Sequence, residues 1–145
     1  MKTIVVSVLM WAFCCSSSCL AQASKKIVQL HQLPSNIVHL HLQLPSNKIK
    51  IIKTKSSRVS VETTIHLDAG SSPLLDYLIK SGRYNLGAAV DPNQSSMALS
   101  LPTPSKTLII KGAICEEHIS YIIHVPERLL KVTTSYNSLT ASLSE

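Results

Sequence analysis

The chain has 145 residues, of which 45% are hydrophobic, 4% aromatic and 15% charged, and its formal net charge is +6. This length provides room for one domain and no more. The only Trp and the only Phe lie near the N-terminus, at positions 11 and 13. So few aromatic rings argue against nucleic-acid binding, which relies on base stacking.

The N-terminal segment has the pattern of a secretory signal peptide. Met1-Lys2 gives a positive start, an uncharged and mostly apolar run follows, and Ala21-Gln22-Ala23 matches the small-x-small pattern of signal-peptidase cleavage. The run is too short and wrongly flanked for a membrane-spanning helix. We predict a signal peptide over residues 1–23 and export to the periplasm, the outer-membrane surface or the extracellular space. No transmembrane helix is expected in the mature chain.

The cysteines bear on both location and stability. Cys14, Cys15 and Cys19 lie in the predicted leader, so only Cys115 remains after cleavage, and it has no internal disulfide partner. We predict that Cys115 is a small buried hydrophobe, and the alternative is a reactive or intermolecularly paired thiol. A competing hypothesis for the leader is that Cys19, which follows the small residue Ser18, is the lipid-attachment residue of a bacterial lipoprotein.

Alternating polar and apolar residues dominate the first half of the predicted domain. Runs at residues 26–32 and 37–43 are separated by a Leu-Pro-Ser-Asn turn that recurs at residues 44–47. The clearest alternation spans residues 59–67, a pattern typical of a half-buried strand. Its predicted inner residues are Val59, Val61, Thr63, Ile65 and Leu67. We predict that this strand forms a β-hairpin with residues 48–52 through a polar connection, and that Ile51-Ile52 forms a β-bulge.

One short helix interrupts the strands. Ser72 as N-cap, Pro73 at the first helical position and Gly82 just beyond the end predict a helix over residues 73–81. Five further strands, separated by turns, are predicted at residues 83–90, 96–101, 107–111, 117–125 and 129–135. Residues 136–145 are weakly patterned and are predicted to be a C-terminal tail.

These elements predict an all-β fold with a single β-rich domain over residues 24–135. The expected architecture is a β-sandwich or a short β-solenoid-like stack of about nine to ten strands, with one short helix near residues 73–81. A core made by packing alone is expected to hold it together.

Charged residues offer one hint about partners. Lys25, Lys26 and the cluster over residues 48–58 make the first third of the mature chain basic. A basic face attracts anionic surfaces, such as an anionic envelope polymer or the cell surface. The alternative is that the lysines keep strands soluble and protect an exposed sheet edge.

Motifs for catalysis or metal binding are weak. His39-x-His41 places two imidazoles on one strand face, with a third ligand needed from His31, His66, His118 or His124. Glu116 and Glu117 would point to opposite faces of a strand, which is unsuited to two-carboxylate catalysis. The sequence has no nucleophile elbow, phosphate-binding glycine loop, His-Glu-x-x-His or Cys-x-x-Cys motif. We therefore assign no catalytic, cofactor-binding or metal-binding residue, and predict that the protein is not an enzyme.

Two motifs carry a resemblance to a known group of proteins. Gly82-Arg83-Tyr84 after the helix and the strand that ends in Val125-Pro126-Glu127 resemble exported β-rich proteins of Bacteroidetes-type bacteria. That group is related to adhesin-like families of domains of unknown function. The resemblance covers about residues 26–135 and implies a solenoid-like or sandwich-like domain at the cell envelope, with no catalytic residues to transfer.

The predicted function is thus a non-catalytic exported cell-envelope or surface protein with an adhesin-like binding or structural domain. A lipid-anchored periplasmic binding module is the first alternative. An envelope hydrolase acting on a glycan or peptide is the second. It would require His66, His118 or His124 to meet an acidic residue in a pocket.

Overall fold

The computed structural model describes residues 22–46, 48–101 and 106–136, except for the side chain of Tyr136. The predicted signal peptide lies outside the described residues apart from Gln22 and Ala23. The predicted tail also lies outside them, apart from Tyr136. Strand β1 begins at Ala23, whose side chain is only 1% exposed.

Ten strands and one helix make up the described part of the chain, which confirms the predicted all-β fold and the short helix. Most of the predicted strands are present with shifts of a few residues at their ends. In chain order the elements are β1 (Ala23–Gln32), β2 (His39–Leu44), β3 (Ile49–Thr54), β4 (Arg58–Leu67), α1 (Ser72–Lys80), β5 (Gly87–Asp91), β6 (Ser96–Ser100), β7 (Leu108–Ile110), β8 (Ala113–Cys115), β9 (Glu117–Pro126) and β10 (Lys131–Tyr136).

The strands form two four-stranded mixed sheets. The first sheet has the order β1-β4-β9-β3, in which β4 is antiparallel to β1 and β9, and β3 is parallel to β9. The second sheet has the order β10-β2-β6-β5, in which β2 is parallel to both neighbours and β5 is antiparallel to β6. Strands β7 and β8 form a separate hairpin.

The two sheets share one hydrophobic core, so the architecture is a β-sandwich. Alternate residues of β2 and β6, including Leu40, Leu42 and Leu99, lie in the same buried cluster as Val61 and Ile123 of the first sheet. All five side chains are 0% exposed. Each such side chain contributes roughly 1.5–3 kcal/mol by leaving water, which makes this layer the main source of stability.

A second cluster covers the end of the first sheet that contains Ile65 and Leu67. Leu75 and Leu78 of α1 pack there with Tyr84 and Cys115. The helix is therefore an end cap, as the amphipathic pattern predicts. Its N-cap is Ser71 rather than the predicted Ser72, because the Ser71 hydroxyl accepts the backbone N–H of Leu74 at 3.4 Å.

The predicted hairpin of β3 with β4 is wrong, because β9 lies between these two strands in the first sheet. Residues 55–57 connect them across the end of β9 and contain no glycine or asparagine, which a tight two-residue hairpin turn favours. Four Cα–Cα steps reach up to about 14 Å. Two strand spacings require only about 9.6 Å, so the short connection suffices.

The predicted β-bulge at Ile51-Ile52 is also wrong. Residues Ile49–Thr54 pair one-to-one with Tyr121–Pro126, without an extra residue on either strand. Ile51 keeps its place on the core side opposite Ile123 but is 38% exposed, because β3 has no neighbour on its other side among the described strands. An apolar pair at an edge therefore does not need a bulge.

The hairpin of β7 with β8 was not predicted. Its two-residue turn is Lys111-Gly112, and both residues have positive φ, at 51° and 81°. This is the backbone that a type I′ turn requires.

The one helix in the described part of the chain, α1, lacks the length and apolar character needed to cross a membrane.

Candidate functional site

The outer face of the first sheet is the face turned away from the shared core, and it carries an unusual mixture of side chains. Val28 and Leu30 of β1 are 58% and 62% exposed on this face. The alternate residues of β4 and β9 on this face are mostly polar and half-buried. Two charged groups of residues lie on or beside it, one along β3 and one where β4 ends.

The first group, which we name the basic edge, follows strand β3 and its connection to β4. It consists of five exposed cationic side chains, Lys48, Lys50, Lys53, Lys55 and Arg58. No Asp or Glu occurs between residues 48 and 58. Within the described residues none of the five has an acidic side chain within ion-pair distance. The basic edge therefore projects uncompensated positive charge into solvent.

Strand pairing explains where these charges lie. Among the strands that the structure describes, β3 bonds to β9 only, so its other side is a sheet edge. Lysines on such a strand oppose pairing with another chain, which fits the protective role considered from the sequence. The same arrangement also concentrates positive potential along one line of the molecule, and this attracts polyanions.

An open cleft of about 410 Å³ lies beside the basic edge. It is lined by Thr54, Lys55, Ser56, Ser57, Pro126, Glu127 and Arg128. The guanidinium of Arg128 donates to the carbonyl oxygens of Leu33, Pro34, Ser35 and Ile37 at 2.9–3.0 Å. Arg128 therefore holds the first Leu-Pro-Ser-Asn turn in place. The Thr54 hydroxyl donates to the Val125 carbonyl at 3.5 Å, and the lining also contains two exposed groups of opposite charge, Lys55 and Glu127.

The histidines do not converge on one cavity. His39 and His41 lie on β2, opposite Ser96 and Ala98 of β6. His31 lies on β1, where burial lowers the pKa of its imidazole. Within the described residues, neither His39 nor His41 belongs to a group of three metal-ligand side chains. The sequence motif His39-x-His41 is thus not completed by a third ligand there.

The second group, which we name the histidine end, consists of His66, Asp68, Glu116 and His118. His66 and His118 are directly opposite each other on β4 and β9, and their rings stack with centroids 6.0 Å apart. The Nε2 atom of His118 lies 2.8 Å from Oδ2 of Asp68 and 4.0 Å from Oε2 of Glu116. The Nε2 atom of His66 lies 3.5 Å from Oδ1 of Asp68.

A smaller cluster lies between the basic edge and the histidine end. His124 Nε2 lies 3.2 Å from Oε1 of Glu62, and Lys26 pairs with the same carboxylate. The hydrogen bond from Lys26 is the main reason that the pKa of Glu62 is lowered, and His124 adds to it. Glu62 is therefore held as a carboxylate by two partners.

On the inner face of the first sheet, behind the histidine end, the Glu117 carboxylate accepts three hydrogen bonds. Arg83 donates to both oxygens of Glu117, at 2.9 and 2.5 Å, and the Tyr84 hydroxyl donates to Oε1 at 2.6 Å. The hydrogen bond with the Glu117 carboxylate raises the pKa of Arg83. The pKa of Tyr84 is also raised, mainly by burial. Glu116 and Glu117 thus point to opposite faces, which confirms the prediction.

Cys115 is buried, with 4% exposure, and its Sγ–H donates to the Ala69 carbonyl at 3.0 Å. This confirms the interpretation of Cys115 as a small core residue. Tyr84 and Tyr121 are core residues too, in different clusters. The open cleft contains no histidine in its lining, so the acid–imidazole pairs lie on a surface rather than in that cleft.

Sequence reasoning considered His66 and His118 but missed their carboxylate partners. His66-x-Asp68 and Glu116-x-His118 occur at the end of one strongly alternating strand and at the start of the other. Had antiparallel pairing of these two strands been assumed, the four side chains would have been placed on one face. The missing information was the register.

The fold and these two charged groups define an all-β sandwich domain with a basic sheet edge and a surface cluster of imidazoles and carboxylates. Comparison with protein-family models, curated proteins and solved structures found no match to the chain. The function is therefore argued from the residues alone.

Proposed function

We propose that the protein is a non-catalytic, exported domain of the cell envelope that binds an anionic polysaccharide through the basic edge. The observation that carries this proposal is the run of five exposed cations from Lys48, just before β3, to Arg58 at the start of β4, with no acidic side chain among residues 48–58. Export rests on the predicted signal peptide over residues 1–23.

The physical basis for polymer binding is long-range attraction. Cations spaced along an extended segment match a polymer that carries repeated negative charge, and no described carboxylate lies within ion-pair distance of them. The neighbouring hydroxyls of Thr54, Ser56 and Ser57 line the open cleft and are suited to hydrogen bonds with sugar hydroxyls. Such binding requires no catalytic group.

The binding test uses the purified chain from which residues 1–23 have been removed, with immobilised polygalacturonate as the anionic polymer and neutral dextran as the comparison. We expect binding to polygalacturonate only, weakening as salt rises, because the screening length falls from about 10 Å at 0.1 M to about 3 Å at 1 M.

Charge reversal separates the basic edge from net charge. The triple variant Lys48→Glu/Lys50→Glu/Lys53→Glu should bind at least about tenfold more weakly, since each cation near an anionic surface contributes about 1 kcal/mol. The control Lys80→Glu/Lys111→Glu/Lys131→Glu makes the same change in net charge at other exposed sites. Equal losses in both variants, or no binding by the parent, would refute the proposal.

Location is tested separately. Cell fractionation and protease treatment of intact cells should find the processed chain in the envelope or outside the cell. Retention of the full chain in the cytoplasm would contradict export. Cys19→Ser should leave the location unchanged, whereas release from membranes by this substitution would favour the lipid-anchored alternative.

A further inference from the structure

We propose that Asp68, Glu116 and His118, at the histidine end, form a binding site for one Zn²⁺ ion, and that His66 lies beside this site. This inference goes beyond the proposed function and does not depend on it. Arg58 of the basic edge and His66 are eight residues apart on β4, or about 27 Å at 3.4 Å per residue.

The pairing of β4 with β9 brings the four side chains together. His66 is the direct cross-strand partner of His118. Beyond them, the Asp68 N–H donates to the Glu116 carbonyl at 3.2 Å, so the register continues past the end of β4. Side chains two residues apart on an extended chain share a face, and directly opposite residues lie side by side. Two imidazoles and two carboxylates therefore meet on the outer face.

Asp68, Glu116 and His118 offer the donor chemistry that zinc accepts, and their ligand atoms lie close together. Zinc accepts imidazole nitrogen and carboxylate oxygen, and a tetrahedral ion with bonds of about 2.1 Å separates neighbouring donors by roughly 3.4 Å. The donor separations here are 2.8 Å for Asp68 and His118, 3.5 Å for His66 and Asp68, and 4.0 Å for Glu116 and His118. The candidate atoms of Asp68, Glu116 and His118 all lie within 4.8 Å of one another.

The charges of the cluster favour a bound cation over simple ion pairs. Asp68 and Glu116 are like charges on opposite strands, an arrangement that is destabilising unless a positive group lies between them. Within the described residues their only ion-pair partners are the two histidines. A divalent ion between the two carboxylates neutralises both of them.

The backbone that carries these ligands is held from behind. Glu117, between Glu116 and His118, is bonded to Arg83 and Tyr84 on the inner face. Ala69, next to Asp68, accepts the hydrogen bond from Cys115. Support of this kind orients metal ligands before the ion arrives, which lowers the cost of binding.

The test is calorimetric titration of ZnCl₂ into the purified processed chain, prepared without a histidine tag. We expect one Zn²⁺ per chain, no competition from Mg²⁺ or Ca²⁺, which prefer oxygen ligands, and a tetrahedral visible spectrum when Co²⁺ replaces zinc. Absence of saturable zinc binding by the parent chain would overturn the proposal.

Matched variants locate the site. His118→Ala and Asp68→Asn should each weaken zinc binding at least tenfold, because each removes a direct ligand. The control His39→Ala/His41→Ala removes two histidines from the second sheet and should leave zinc affinity within threefold. Thermal unfolding checks that every variant is folded. Unchanged affinity in His118→Ala and Asp68→Asn, or an equal loss in the control, would refute the assignment.

Discussion

The basic edge and the histidine end belong to the same sheet but differ in how their strands are paired. β3 has a neighbour on one side only, so its lysines project into solvent and find no acidic partner among the described residues. β4 and β9 are interior strands bonded to each other, so their polar side chains converge into a cluster. An edge strand displays separate charges, whereas two interior strands bring complementary groups together.

The support beneath the two regions differs as well. Behind the histidine end, Tyr84 bonds to Glu117, and a charged network ties the strand to the segment after α1. Behind the basic edge, Tyr121 lies next to Ile49 of β3 and is surrounded by apolar residues of the main core. The histidine end therefore has a charged hydrogen-bond network in addition to its apolar cluster, whereas the surroundings of Tyr121 behind the basic edge are apolar. Three substitutions test this contrast.

The largest expected effect is that of Glu117→Gln. It removes the charge from a nearly buried ion pair, in which the Arg83 and Glu117 side chains are 16% and 12% exposed. We expect a loss of about 3 kcal/mol in the free energy of unfolding, because Arg83 keeps a charge without its partner. Urea denaturation without added metal measures it.

The control for this prediction is the adjacent residue. The Glu116 side chain is 74% exposed, so Glu116→Gln should change stability by less than about 0.5 kcal/mol. Similar losses in the two variants would mean that the histidine end is not held by the Arg83 network.

The second prediction concerns alkaline pH and the core beneath the basic edge. Burial raises the pKa of Tyr121 to about 12 from an ordinary value of 10.0. Because the folded state favours the neutral phenol, the resulting stability is complete below pH 10 and is lost as pH rises towards 12. The loss is about 2–3 kcal/mol. Tyr121→Phe should remove that part of the alkaline destabilisation.

Unfolding curves recorded between pH 8 and 12 provide the measurement. Tyr77→Phe is the matched control, because it removes a phenol that is 67% exposed on α1 and lies outside the core. Tyr84, whose pKa is also raised, is expected to retain a separate alkaline effect in the Tyr121→Phe variant. An unchanged alkaline slope in Tyr121→Phe would contradict the prediction.

The smallest expected effect is a gain in stability at Thr63, midway along β4 between the two regions. Thr63 is 0% exposed, and its Oγ1 has no hydrogen-bond partner within the described part of the chain. Thr63→Val keeps the shape and removes the unpaired hydroxyl, so stability should rise by about 1 kcal/mol. Thermal and urea unfolding measure it.

The variant Thr64→Val provides the comparison, because Thr64 is half-buried on the outer face. Its stability should change by less than about 0.5 kcal/mol. Since Thr63 faces the core, Thr63→Val should leave both polygalacturonate and zinc binding unaltered. A loss of stability in Thr63→Val would mean that the hydroxyl is bonded after all.

Most of the candidate site is predictable from the sequence only if the pairing of the strands is already known. The alternation over residues 59–67 and 117–125 correctly separates inner from outer residues, and it places Glu116 and Glu117 on opposite faces. It does not tell which strands are neighbours. The hairpin of β3 with β4 is wrong for this reason, and Asp68 and Glu116 were not connected with His66 and His118.

Local interactions account for the features that were predictable from the chain alone. Alternation reports which side chains leave water, and capping residues and Gly82 set the helix limits to within a residue, because both effects act over a few positions. Neighbouring strands, in contrast, are selected by contacts between distant segments that must fill one core together. The convergence of residues 66–68 with 116–118 is such a contact, so it became visible only in the folded sandwich.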